Sequence, residues 1–334
     1  YGELYTKYRE VIGVVKSKTN IKKELLFMSE IGDILIPSSG ETQKDIATAS
    51  TVMEKNVALG GDINILRSKE TINSPYVSYY LKHIKNIEIS KLSQGNSVVH
   101  LYSKQLSNLK IEIPSLEEQQ KIGDFFMLLD KRIEQQEEKI ALLKDYKKTM
   151  MQKIFSQKIR FKDENGNDYP DWEEKKLGEI CRVKSSQLTN NVVEEIGKYP
   201  VYGANSIVGY TENYEVDEYV SIVKDGAGVG RIAFINNKSS VLGTLQYLIG
   251  IEITTEFLYV LLSNVNFKLY QTGTTIPHIY FKDYSKMIID IPCQLEQEKI
   301  SSFLFAMDLN LENQEAILNN LKEQKQGLLR KMFV

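Results

Sequence analysis

Residues 113–155 read IPSLEEQQKIGDFFMLLDKRIEQQEEKIALLKDYKKTMMQKIF, and residues 291–333 read IPCQLEQEKISSFLFAMDLNLENQEAILNNLKEQKQGLLRKMF. The two stretches align without a gap at a constant offset of 178, with 16 identities in 43 positions. The register continues upstream, where Gly95, His100 and Tyr102 fall on Gly273, His278 and Tyr280. Gly2 and Gly203, each preceded by a tyrosine, align at a different offset. A long internal repeat sets the architecture before any local motif does. It predicts two copies of one unit, each a globular part followed by a long helix. The second copy carries about thirty residues (172–201) ahead of its Tyr-Gly, so the first copy is expected to be truncated by a similar length.

Both helical stretches hold a strict 4-3-4-3 spacing. In the first it runs Ile122, Phe126, Leu129, Ile133, Gln136, Ile140, Leu143, Lys147, Met150 and Ile154. In the second it runs Ile300, Leu304, Met307, Leu311, Gln314, Leu318, Leu321, Lys325, Leu328 and Met332. A sustained heptad needs a partner with the same repeat, and polar residues break both seams at the same two positions. The two helices are therefore expected to pair with each other, as rods of roughly 60 Å at 1.5 Å per residue. An approximate twofold axis across the rods would make the pairing antiparallel and bring Gln136 and Gln314 together near the midpoint. A buried polar pair there would fix register at some cost in stability.

Length and composition bound the rest. The chain has 334 residues, 42% apolar and 26% charged, which suits about two domains. Two cysteines, Cys181 and Cys293, exclude a disulfide scaffold and a tetrathiolate zinc site and suit a reducing, cytoplasmic setting. No run approaches the eighteen apolar residues of a membrane span. The formal charge of −2 lowers the case for nucleic acid, because duplex binding draws affinity from neutralised phosphates. It does not exclude it: residues 1–112 carry 15 Lys/Arg against 12 Asp/Glu, whereas 172–292 carry 11 against 14.

The globular parts read as mixed α and β. Strands are expected at 32–37, 63–67 and 109–114 in the first copy and at 219–224, 231–236, 245–251 and 286–292 in the second. Helices are expected at 74–84 and 254–267. The motif DGAGVG at 225–230 lies between two strand-like runs and spaces its glycines G-x-G-x-G, so it reads as a hairpin and not as a nucleotide loop. Lys224 and Arg231 flank it, placed either to clamp phosphates or simply to be solvated. The repeated turns SQGNSVVHLY (93–102) and QTGTTIPHIYF (271–281) carry small polar residues and His-x-Tyr. Such side chains suit base edges or phosphates, or a structural turn packed on its own domain. Three separated histidines, with no metal-ligand spacing, nominate no catalytic or metal centre.

These segments, with YPDWEEKKLGEI at 169–180, YGELYTKY at the start and TGTTIPHIYFKDY at 272–284, resemble the specificity subunit of type I restriction-modification systems over nearly the full chain. The first copy lacks the WEEKKLGEI lead-in. The resemblance implies an α+β chain of two target recognition domains separated by two conserved helices paired as an antiparallel coiled coil. The domains map to 1–112 and 172–290, the helices to 113–156 and 291–334, and a linker to 157–171. The implied function is recognition of a bipartite, asymmetric duplex DNA target, with the helices setting the spacer and no catalysis by this chain. Implied partners are double-stranded DNA, two adenine-N6 methyltransferase subunits and two motor-nuclease subunits. No cofactor is expected on this chain; S-adenosylmethionine, ATP and magnesium belong to those partners. Candidate DNA contacts are Ser97, His100, Thr274, Thr275 and His278, with Lys224 and Arg231 toward phosphates. Glu134, Glu137, Lys139, Lys144, Glu312, Glu315, Lys322 and Glu323, on outer helix faces, are candidate methyltransferase contacts. The alternative is a non-catalytic two-domain scaffold that binds proteins.

Overall fold

The computed structural model describes residues 1–68, 71–95 and 98–333. The two long helices span Leu116–Phe155 and Gln294–Met332. By contacts the chain divides into two compact units, and the cut falls inside both helices. Tyr1–Ile140 joins the chain from Gln314 onward in unit 1, and Ala141–Asn313 forms unit 2. Each globular part thus packs on one half of each long helix, whereas the repeat divides the sequence at the helix ends.

Unit 1 holds a four-stranded sheet in the order Val11–Ile12, Ser50–Val52, Ile34–Pro37, Ile63–Leu66. Only the first pair is parallel. Behind it lies Ser74–His83, a helix capped by the Asn73 side chain, which accepts from Tyr76 N. Its buried Tyr76, Tyr79 and Tyr80 share a core with Ile122, Phe126, Leu329 and Phe333 of the long helices and their end. Phe126 and Phe333 stack at 5.6 Å, and Lys322 reaches Glu137 at 2.7 Å. Gln136 Nε2 donates to Gln314 Oε1 at 3.0 Å and to the Gln314 carbonyl at 2.9 Å. Ascending positions of the first helix meet descending positions of the second, so the pairing in unit 1 is antiparallel.

Unit 2 holds a six-stranded sheet in the order Cys181–Ser185, Leu245–Gly250, Val216–Val223, Ile232–Val241, Tyr199–Tyr202, Ile207–Thr211. Thr255–Ser263, capped by the Thr254 hydroxyl, packs on it as the counterpart of Ser74–His83. Phe257, Leu258, Leu261 and Val220 share a core with Ile154, Ile300 and Leu304. Lys147 bonds Asp308 in this unit, again in antiparallel sense. Cys181 is buried, and burial pushes its thiol up to about 12.

All twenty heptad positions are buried or half-buried. In unit 1 these include Ile122, Phe126, Leu129, Ile133, Gln136, Ile140, Gln314, Leu318 and Leu321; in unit 2, Leu143, Ile300, Leu304, Met307 and Leu311. Two expectations need correction. Glu137 and Lys322 do not lie on free outer faces, since they bond each other and Glu137 also accepts from Arg9 at 2.6 Å. Residues 109–114 form no strand. The equivalent Ile288–Ile291 is a strand because Glu173–Lys176 pairs with it, and no described segment of unit 1 plays that part.

Candidate nucleic-acid interface

The repeated His-x-Tyr turns are built on one backbone frame in both units. In unit 2, Val216–Val223 ends at Lys224-Asp225-Gly226. Ile279 N donates to the Lys224 carbonyl at 3.0 Å, and Gly226 N to the Pro277 carbonyl at 2.9 Å. His278 and Thr272 exchange backbone hydrogen bonds, both 2.8 Å. In unit 1, Ile34–Pro37 ends at Ser38-Ser39-Gly40, Leu101 N donates to the Ser38 carbonyl at 2.9 Å, and Ser39 pairs with His100. His100 and Gln94 exchange backbone hydrogen bonds of 2.7 and 2.8 Å. Each turn hinges on a glycine at positive φ, Gly95 at 114° and Gly273 at 85°. A Cβ on either would stand 2.2 or 2.4 Å from the carbonyl oxygen three residues on, so only glycine fits.

The frame presents a histidine and an exposed tyrosine side by side. His100 and Tyr102 stack at 6.0 Å with planes 8° apart, and His278 and Tyr280 at 6.3 Å and 25°. Thr274 and Thr275 are exposed on the second turn. Ser97 of the first turn lies outside the described residues.

The chemistry at the two turns differs. His278 Nδ1 lies 2.8 Å from Asp225 Oδ1, and Lys224 Nζ donates to Asp225 Oδ2 at 2.5 Å. Burial pushes the Asp225 carboxyl up, but the hydrogen bonds from Lys224 and His278 outweigh it and hold it below the usual range. A carboxylate at Nδ1 orients the ring and leaves Nε2 as the atom for a further hydrogen bond. Unit 1 has Ser39 where unit 2 has Asp225, and the buried Ser39 hydroxyl has no hydrogen-bond partner among the described residues.

The glycine-rich stretch 225–230 is a hairpin between Val216–Val223 and Ile232–Val241, with Gly226 and Gly230 at positive φ. Arg231 is exposed and donates to the Ala204 carbonyl at 3.1 Å and to the Asn205 side chain. Lys224, half-buried on Asp225, is less free to take a phosphate than Arg231.

Sequence reasoning placed the two turns but missed Asp225 and Ser39 as their neighbours, and Asn205 as the partner of Arg231. The repeat aligned the histidines at an offset of 178. The loops they meet, Ser38–Gly40 and Lys224–Gly226, stand at an offset of 186 and escape that register. Among the described residues no group of three or more His, Cys, Asp or Glu is placed to hold a metal ion. No described helix is long and apolar enough to cross a membrane.

Comparison with known proteins agrees with this doubled arrangement. The family described as the type I restriction modification DNA specificity domain matches twice, at residues 6–145 and 169–323. The chain belongs to this family. The MjaVIII specificity subunit of Methanocaldococcus jannaschii is 26% identical over 192 residues, covering 56% of this chain and 44% of that protein. The EcoDI specificity subunit of Escherichia coli is 27% identical over 165 residues, covering 48% and 37%. The matches thus span under half the length of these relatives. In fold, the chain resembles the type I restriction-modification S subunit from M. genitalium, with TM-score 0.67 and 22% identity over 100% of this chain and 91% of the other. A chain from a structure on assembly and conformational transition of the type I R-M system gives TM-score 0.55 at 18% identity, covering 92% and 82%.

Proposed function

We propose that this chain is a sequence-specific DNA recognition subunit that reads a bipartite, asymmetric duplex, one half-site per unit, with the long helices setting the spacer. The observation that carries the reading is one His-x-Tyr turn built twice on the same backbone frame with different polar neighbours. A shared frame gives both units the same approach to a groove. Different neighbours give the two halves different base preferences. Tyr102 and Tyr280 offer apolar faces, His100 and His278 offer hydrogen bonds, and Arg231 offers a phosphate contact. Ser97, Thr274 and Thr275 complete the candidate set.

In this reading the chain does no chemistry. Two methyltransferase subunits using S-adenosylmethionine methylate adenine, and two motor-nuclease subunits use ATP and magnesium. The near-neutral charge is accommodated if the partners supply much of the phosphate clamp. The test is to map methylated adenines in cells with and without this subunit, then exchange residues 172–290 for those of a relative. One half of the methylated motif should change while the other stays. An unchanged motif, or methylation indifferent to the subunit, refutes the reading. Capture of protein partners with no duplex retained, alone or with methyltransferase, would favour the scaffold alternative.

A further inference from the structure

Each His-x-Tyr turn carries a third outward residue that the motif does not name. In unit 2, Ile276 is 56% exposed, His278 is half-buried and Tyr280 is exposed, whereas Ile279 is buried. In unit 1, Val98 is 52% exposed, His100 is half-buried and Tyr102 is exposed, whereas Val99 and Leu101 are buried. Alternate residues of an extended segment line one face. Both turns therefore present a row at i, i+2 and i+4: a β-branched aliphatic side chain, an imidazole and a phenol. The two rows stand at the repeat offset of 178.

The aliphatic tips are held in place by their backbone. The carbonyl oxygens that exclude a Cβ at Gly95 and Gly273 are those of Val98 and Ile276. Pro277 restricts Ile276 before it to extended conformations, and the Pro277 carbonyl accepts from Gly226 N at 2.9 Å. A β-branched side chain on such a backbone has little rotamer freedom to lose on contact. Single exposed aliphatic residues are ordinary, but these two stand at the same point of two turns, each beside an exposed tyrosine. The spacing also suits a duplex. Residues two apart in a strand lie about 6.8 Å apart, the rise of two base pairs. The His278 and Tyr280 rings are 6.3 Å apart, and those of His100 and Tyr102 6.0 Å. A row laid along a groove thus meets alternate base pairs. Histidine and tyrosine can bond polar groups there, whereas an aliphatic tip cannot. The apolar group that a base pair offers is the thymine C5-methyl, in the major groove, which is wide enough to admit a two-stranded ribbon.

We propose that Ile276 in unit 2 and Val98 in unit 1 are specificity-determining residues, each taking a thymine C5-methyl group in the major groove. The proposal rests on the reading of the two turns as the duplex contact and adds the base that each tip selects. Thymine at that place is preferred over cytosine because cytosine lacks the methyl group, whatever the histidine and tyrosine of the row contact.

The test uses the full chain with its methyltransferase and duplexes carrying the motif found by mapping methylated adenines. In the half-site assigned to unit 2 by the domain exchange, each thymine is replaced in turn by deoxyuridine, which lacks only the C5-methyl. Affinity is read by anisotropy competition. One replacement should weaken wild-type binding roughly fourfold, the effect of burying one methyl-sized group. Ile276→Ser, an exposed change whose fold circular dichroism checks, should bind the thymine duplex about as weakly and no longer distinguish it from the deoxyuridine duplex. Ile276→Val, the residue type of unit 1, should keep the distinction, and Val98→Ser should abolish the corresponding one in the other half-site alone. Sequence-specific binding that no deoxyuridine replacement weakens overturns the proposal and leaves DNA recognition standing. So does a deoxyuridine effect that Ile276→Ser leaves intact. Wild-type binding with no sequence preference at all would remove both.

Discussion

Lys325 occupies a seam position of the second long helix, yet it is charged and only 8% exposed. Its ammonium donates to Asp130 Oδ1 at 2.6 Å and Glu10 Oε2 at 3.3 Å, and lies 5.2 Å above the Tyr79 ring. Glu10 also meets His83 Nε2 at 2.5 Å, and Tyr79 Oη donates to Asp130 at 2.5 Å. Lys325→Met keeps the stem and removes the charge, leaving two poorly solvated carboxylates. Removing one partner of a buried pair costs about 3–5 kcal/mol. Lys82 at 3.6 Å from Glu10 and Arg9 at 3.5 Å from Asp130 remain, so a loss of about 3 kcal/mol is expected at pH 7. Burial pushes the Glu10 carboxyl up, but His83, Lys82 and Lys325 outweigh it and hold it well below its ordinary range. A lowered carboxylate stabilises the fold above its unfolded pKa, about 4.3, and that contribution fades as pH falls through the folded value. The gap between wild type and variant should therefore be widest at neutral pH and narrow below about pH 4. Hydrogen exchange of amides in 74–83 and 126–133 measures it, and about 3 kcal/mol is roughly a 150-fold loss of protection where unit 1 opens as a whole. A loss under about 1 kcal/mol at pH 7, or one as large in acid as at neutrality, would refute the reasoning.

Three further outcomes follow from single contacts. Arg231→Ala should weaken binding to all duplexes and lower the salt slope by about one, measured by titration at several salt concentrations; loss of one sequence preference alone would make Arg231 a base reader. Gly273→Ala, with φ at 85° and a Cβ 2.4 Å from the Ile276 carbonyl oxygen, should cost about 1–3 kcal/mol in urea unfolding followed by Trp172 fluorescence. Replacing Gln136 and Gln314 together by leucine should raise thermal stability while loosening helix register, read by cross-linking of cysteine pairs placed along both helices.

Much of the architecture was legible because it is periodic. A seven-residue repeat held over forty residues, and held twice, leaves only one face of each helix to bury, so the paired helices follow from spacing alone. The same register located both His-x-Tyr turns, whose glycines are demanded locally by backbone geometry. What spacing could not show was pairing between residues far apart in the chain. Asp225 lies 53 positions from His278 and joins it because a strand end and a turn meet at one edge of unit 2. Glu10 and Lys325 are 315 positions apart and meet in the core of unit 1. The segment 109–114 has the composition of a strand, but a strand exists only with a partner, and among the described residues Ile288–Ile291 has one in Glu173–Lys176 and 109–114 does not. Local pattern decides which face a segment buries; the tertiary fold decides which distant groups share that burial and must satisfy one another's charges and hydrogen bonds.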